Sequence, residues 1–144
     1  MKYKMIRAHM RTAENDASLS YAIRLQVGAI VVKDDRIISI GYNGTPAGWD
    51  NKCEDEFYVD DFHIEMKTKP EVIHAEANAI AKLAKSNESG EGASMFITHA
   101  PCLECAKMIY SSGISKVFYK EIYRSSDGID FLLKCGVGIE QIKI

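Results

Sequence analysis

The chain has 144 residues, 47% hydrophobic and 26% charged, with a net charge of −2; this is an ordinary globular balance, long enough for one domain with a real core. Avid binders of DNA or RNA usually carry a basic footprint, and none shows in the overall charge, so a nucleic-acid polymer is not the expected substrate. Met1–Asp16 is charged throughout, and the longest apolar run, Val27–Val32, is far too short to span a bilayer, so a cytoplasmic protein with no membrane partner is expected.

In such a compartment Cys53, Cys102, Cys105 and Cys135 should be thiols or metal ligands, not disulfides.

Taken in order, Ile6, Met10, Ala13 and Ala17 recur at helical spacing and predict an amphipathic helix over the first twenty or so residues. Val27–Val32 is β-rich, Asp34-Asp35 is a turn, and Arg36–Tyr42 runs back as a second strand of an antiparallel hairpin. Gly41-Tyr42-Asn43-Gly44-Thr45-Pro46 closes that strand with turn formers.

The segment 44–73 has no clean periodicity and is locally acidic. It reads as a variable loop insertion that either covers a site or is simply solvated. A helix follows from His74, with Ala77, Ile80, Ala81 and Ala84 on one face. Then come a short buried strand at Met95–Thr98, a helix over Cys102–Ser112 ended by Gly113, and a strand at Lys116–Lys120. A helix over Asp127–Lys134 precedes a last strand in Val137–Ile144. Strands alternating with helices in the later part predict parallel pairing with right-handed crossovers. The expected architecture is one α/β domain over 1–144, a three-layer α-β-α arrangement with a mixed five-stranded sheet and helices on both faces.

Two stretches carry the chemistry: His74-Ala75-Glu76 and Pro101-Cys102-Leu103-Glu104-Cys105. A histidine and two cysteines form a donor set that suits zinc, and three protein ligands leave an open position, as catalytic zinc requires. Cys102 and Cys105 are three apart and share a helix face near its N-terminus, where the dipole favours thiolates. Pro101 suits the helix start. His74 and Glu76 do not share a helix face, so the spacing works only if His74 sits at the very end of its helix. Glu76 is then a free carboxylate beside the metal, placed to shuttle a proton. The combination is the described H-x-E…P-C-x-x-C signature of zinc deaminases.

Three other readings compete. A redox dithiol leaves His74 and Glu76 unused. A structural zinc needs a fourth ligand, with His99 or Cys53 as candidates. A non-catalytic zinc module that binds a nucleotide or a partner has no use for an unligated Glu76.

Over Gln26–Gly136 the chain resembles the zinc-dependent cytidine/deoxycytidylate deaminase superfamily, most closely its dCMP branch. The matching stretches are Gln26-Val27-Gly28-Ala29, Gly41-Tyr42-Asn43-Gly44-Thr45-Pro46, His74-Ala75-Glu76-Ala77-Asn78-Ala79-Ile80 and Pro101-Cys102-Leu103-Glu104-Cys105-Ala106-Lys107. The resemblance implies that His74, Cys102 and Cys105 hold one Zn(2+) per chain and that Glu76 is the proton shuttle. It implies substrate contacts from Asn43, from the Ala75 backbone and from Tyr123, with Arg24, just before the first strand, as a further phosphate candidate. Tyr123 with nearby Lys120 and Arg124 forms the concentrated polar-basic group after the Cys helix, suited to a phosphate or else a solvated strand end.

The implied reaction is hydrolysis of dCMP to dUMP and ammonia. Guanine or tRNA-adenosine deamination is the alternative within the fold. Relatives on this branch are commonly hexamers, activated by dCTP and inhibited by dTTP. The Gly41–Gly48 stretch is the candidate effector segment, with Mg(2+) accompanying a triphosphate. Some relatives carry a second zinc on cysteines before the first strand; Ser20-Tyr21-Ala22-Ile23 here has none.

Overall fold

The computed structural model describes residues 1–144. Its first element, α1 (Tyr3–Ala17), buries Ile6, Met10, Ala13 and Ala17, the face that the helical spacing selects. β1 (Gly28–Lys33) and β2 (Arg36–Tyr42) pair antiparallel, with Lys33 opposite Arg36. Asp34 and Asp35 between them have φ of 52° and 57°, the left-handed geometry of a two-residue hairpin turn, which aspartate tolerates better than most residues.

The remaining elements of the main body are α2 (Ala75–Ala84), β5 (Ser94–His99), α3 (Leu103–Ser111), β6 (Lys116–Glu121), α4 (Asp127–Lys134) and β7 (Gly138–Gln141). The final strand is shorter than the apolar tail suggested. The five-stranded sheet has the order β2-β1-β5-β6-β7. β1 runs antiparallel to β2 and β5, while β5, β6 and β7 are mutually parallel. The mixed sheet with four helices is the expected fold.

Strand alternation sorts the core into two layers. Ala29, Val31, Met95, Ile97 and Val117 face α2, α3 and α4. Ile30, Val32, Phe96 and Phe118 face α1, with Phe96 and Phe118 stacked at 4.7 Å. A sheet covered on both sides explains why β1 and β5 read as continuous apolar runs. No helix is long and apolar enough to cross a membrane.

The segment 44–73 departs from expectation. It is not irregular throughout, because β3 (Glu54–Asp60) and β4 (His63–Thr68) form a separate two-stranded hairpin. Its base is closed twice, by reciprocal hydrogen bonds between Gly44 and Ile73 and by Lys69 N–H to the Cys53 carbonyl at 2.8 Å. The excursion thus returns to where it left, which sets Asn43 beside His74.

The inner face of α1 also buries His9 against Phe96, and His9 Nε2 has no partner there. Burial pushes the His9 imidazole down from 6.5, against a smaller opposing pull from Asp35. Below roughly pH 6.5 the unfolded chain takes up a proton that the folded chain refuses, so stability is full above that pH and falls as acid is added. Thermal melts from pH 7.5 down to 5.5 should show the midpoint dropping, and His9→Leu should flatten part of that slope. An identical slope in the variant would rule His9 out as its source.

Candidate active site

The two helix starts and the sheet edge build the site. His74 is the N-cap of α2 in extended backbone geometry, and its ring makes no capping bond. Cys102 is the N-cap of α3, with its sulfur accepting from Cys105 N–H at 3.5 Å. Both ends point inward, so His74 Nδ1 lies 3.3 Å from Cys105 Sγ and 3.7 Å from Cys102 Sγ. All three donor atoms fall within 4.8 Å of one another. A tetrahedral ion with Zn–S and Zn–N bonds of about 2.3 and 2.0 Å separates N from S by about 3.5 Å, so the donor set fits zinc closely. His99 and Cys53 do not join it. A structural zinc site has lost both of its candidate fourth ligands.

The three groups already share charge as a unit. Cys102 is pushed down to about 4 by the Cys105 thiol and by His74, which both donate to its sulfur. Cys105 is pushed up by the same bond and by burial. The His74 imidazole is raised, chiefly by its bond to Cys102. Such ligands release protons when a cation arrives.

Packing at two glycines brings these ends together. A Cβ on Gly41 of β2 would stand 2.3 Å from the Ala75 carbonyl oxygen, so α2 can lie on the strand only because that side chain is absent. A Cβ on Gly128 of α4 would stand 2.1 Å from the Pro101 carbonyl oxygen, in the turn that carries Cys102. Ser39 Oγ to the Ala79 carbonyl at 2.6 Å and Asn78 Nδ2 to the Tyr42 carbonyl at 2.9 Å pin α2 further.

Glu76, in the first turn of α2, is 4% exposed. Burial raises its carboxyl above the usual range, against opposing pulls from its own backbone N–H and from His74. It lies outside the three-donor cluster. A carboxyl raised in this way is the kind of group that can both accept and return a proton.

These groups open into a cleft of about 70 Å³. Of the proposed catalytic, metal and substrate residues, Arg24, Asn43, His74, Ala75, Glu76, Cys102 and Tyr123 line it and Cys105 does not. Cys105 lies behind them, 1% exposed.

Asn43 is already engaged, with Oδ1 accepting from Val27 N–H at 2.9 Å and Nδ2 donating to the Leu25 carbonyl at 2.8 Å. It retains one N–H and one lone pair for a ligand. Arg24 is held from both ends. Its backbone N–H donates to Glu54 Oε2, and its guanidinium donates to Thr68 Oγ1 at 3.2 Å. The β3–β4 hairpin therefore supplies part of the wall through Thr68 rather than standing apart.

Lys120 does not join Tyr123. It turns to the other face of the sheet and pairs with Glu14 of α1 at 3.0 Å. Arg124 lies over the Tyr123 ring at 5.5 Å and is not in the cleft wall. Thr68, Val72 and Ala100, which the sequence did not single out, also line the cleft, as does His99, which it offered only as a fourth zinc ligand. For His99 a signal existed: it ends a buried parallel strand, the edge where open α/β sheets bind ligands.

Residues 4–121 match the family described as "Cytidine and deoxycytidylate deaminase zinc-binding region". The chain belongs to this family. The matched span contains His74, Glu76, Cys102 and Cys105, and the deaminase reading of the motifs stands on that membership. The deoxycytidylate deaminase of Enterobacteria phage T4 is 36% identical over 154 residues, covering 83% of this chain and 79% of the phage protein. ComE operon protein 2 of Bacillus subtilis is 35% identical, covering 99% of this chain and 71% of its own length. The crystal structure of the dCMP deaminase from cyanophage S-TIM5, in complex with dCMP and dUMP, superposes with a TM-score of 0.89. That enzyme is 45% identical, and the match covers 99% of each chain.

Proposed function

We propose that the protein deaminates dCMP to dUMP and ammonia, supplying dUMP for dTMP synthesis. The observation that carries this is a buried Glu76 carboxyl, outside a three-donor N/S/S cluster, in a cleft also lined by Arg24, Asn43 and Tyr123. The named relatives supply the substrate class, and Arg24 and Tyr123 in the cleft wall are suited to a phosphate.

His74, Cys102 and Cys105 would hold one Zn(2+). When bound, the ion supplies Lewis acidity that activates a water near neutral pH. Glu76 takes a proton from that water and passes it to the ring nitrogen beside the amino-bearing carbon. The water oxygen bonds to that carbon. Glu76 then delivers the second proton to the amino group, the C–N bond breaks and ammonia leaves. Asn43 and the Ala75 backbone orient the nucleoside, while Arg24 and Tyr123 hold the phosphate end. Burial of Glu76 keeps its proton from exchanging with bulk water during this relay.

The assembly is a hexamer working in the cytoplasm, activated by dCTP and inhibited by dTTP with Mg(2+). Support for an effector site is a second cavity lined by Tyr42, Asn43, Gly44 and Gly48. Asn43 borders both cavities, so one residue could couple effector to substrate.

Ammonia release with dCMP, deoxycytidine, CMP, guanine and adenosine tests the substrate. dCMP should be the best by at least about tenfold over deoxycytidine, the worth of one or two charge-assisted hydrogen bonds. Equal rates on deoxycytidine would remove the phosphate site, and a preference for guanine or adenosine would replace the reading. Repeating the dCMP series with dCTP or dTTP should raise or suppress the rate at low substrate; three superimposable curves would exclude the effectors.

A further inference from the structure

The cleft continues outward into a groove lined by Arg24, Leu25, His99, Glu121, Ile122 and Tyr123. Arg24, His99 and Tyr123 are the polar side chains shared by the deep cleft and this outer groove. His74, Ala75, Glu76 and Cys102 belong to the deep end alone. If the amino-bearing carbon of the base is to meet Glu76, the phosphate end must point outward. It then lies among the three shared side chains. Two of them are already assigned to that end; His99 is not.

His99 has a defined hydrogen-bonding state. Its Nδ1 lies 2.9 Å from Thr98 Oγ1, and the same oxygen accepts from Gly28 N–H at 3.1 Å. Thr98 is 4% exposed and makes no other side-chain bond. Its hydroxyl proton therefore has one acceptor in reach, His99 Nδ1, and a buried hydroxyl does not leave its proton unpaired. That fixes the tautomer with the proton on Nε2. Nε2 has no protein partner and is absent from the buried unpaired atoms, so it is free to donate, on a ring that lines both the cleft and the outer groove.

We propose that His99 is a third phosphate-binding group of the nucleotide site, donating a neutral N–H from Nε2 alongside Arg24 and Tyr123. The inference rests on the dCMP reading above. Burial lowers the His99 imidazole, against Glu121 and reinforced by Lys120, which agrees with a neutral ring. A neutral donor is well matched here, since Glu121 shares the groove and a fixed N–H needs no counter-charge when the site is empty. Thr98 is then a positioning residue, because it acts on the ligand only through the ring it orients.

Steady-state kinetics on the zinc-loaded enzyme test this. His99→Leu should raise KM for dCMP by about tenfold, the worth of one hydrogen bond to a charged group, with kcat within about twofold of wild type. It should leave KM for deoxycytidine unchanged. His99→Gln, whose amide nitrogen can occupy the place of Nε2, should recover most of the loss; it also serves if the leucine variant fails to fold. Nitrogen-15 NMR of wild type should show protonated Nε2 and bare Nδ1, with the Nε2 signal moving on addition of dCMP or of inorganic phosphate. An unchanged KM for dCMP in His99→Leu would overturn the proposal, as would an equal rise for deoxycytidine or an Nε2 signal indifferent to both ligands. Should wild type itself not deaminate dCMP, the substrate reading fails, and the NMR titration with inorganic phosphate still decides His99.

Discussion

Replacing Glu76 with glutamine should lower kcat by roughly 10³-fold, within the 10²–10⁴ range that one positioned acid–base group contributes, and should leave about one zinc per chain. The amide keeps the shape of the side chain and its place in the first turn of α2, but it cannot accept and return a proton. It also relieves the cost of a buried ionisable group, the burial that raises the Glu76 carboxyl, so the melting temperature should hold or rise. Metal retention separates the two possible roles of this residue. If Glu76 were a ligand, zinc and turnover would fall together. If it is the proton carrier, turnover falls alone. Metal analysis and ammonia release on the same sample decide it, and a zinc-loaded Glu76→Gln enzyme with near-normal turnover would refute the relay.

What the sequence made legible was the local chemistry. The face Ile6, Met10, Ala13, Ala17 is a helix periodicity with a sheet on one side, and the pattern exists because one side is buried. His74 had to be a helix end because residues two apart do not share a face, and it is the N-cap. The 54–68 hairpin escaped notice for the complementary reason. Its Phe57, Tyr58, Val59, Phe62 and Ile64 are all at least half exposed. Neither face meets the core, so no burial enforces an apolar–polar alternation.

Lys120 was misjudged as a neighbour of Tyr123, although strand parity contains the answer. Phe118 faces α1, so Lys120, two residues on, must also face α1, where Glu14 meets it. His99 shows a different limit. Its place before Pro101 is visible in the sequence, but the Thr98–Gly28 contact that sets its tautomer spans seventy residues of chain and exists only once β1 and β5 are paired.

Gly128 is the least legible of the site's supports. Replacing it should test whether the metal site depends on α4. The residue has no side chain and lies in the first turn of a helix that holds no ligand. Its backbone φ is not in the left-handed region, so conformational freedom is not the reason for glycine. The reason is contact: an added Cβ would stand 2.1 Å from the Pro101 carbonyl oxygen and 2.9 Å from that of Cys102. Both are backbone atoms in the turn that starts α3, so no flexible side chain can give way. Either α4 backs out, pulling Leu132 from the core, where it is 0% exposed, or the turn shifts and carries Cys102 Sγ away from His74.

The first response costs about 1–3 kcal/mol of stability, as overpacking does. The second lowers zinc affinity by roughly 10–100-fold, as loss of a ligand's support does. Gly128→Ala should therefore melt lower and yield zinc to a chelator far sooner than wild type. Gly138→Ala is the control, because there the nearest atom is a methylene of the Lys116 side chain at 3.3 Å, which can move aside. If Gly128→Ala retains wild-type stability and zinc affinity while Gly138→Ala is equally silent, α4 does not hold the Cys102 turn.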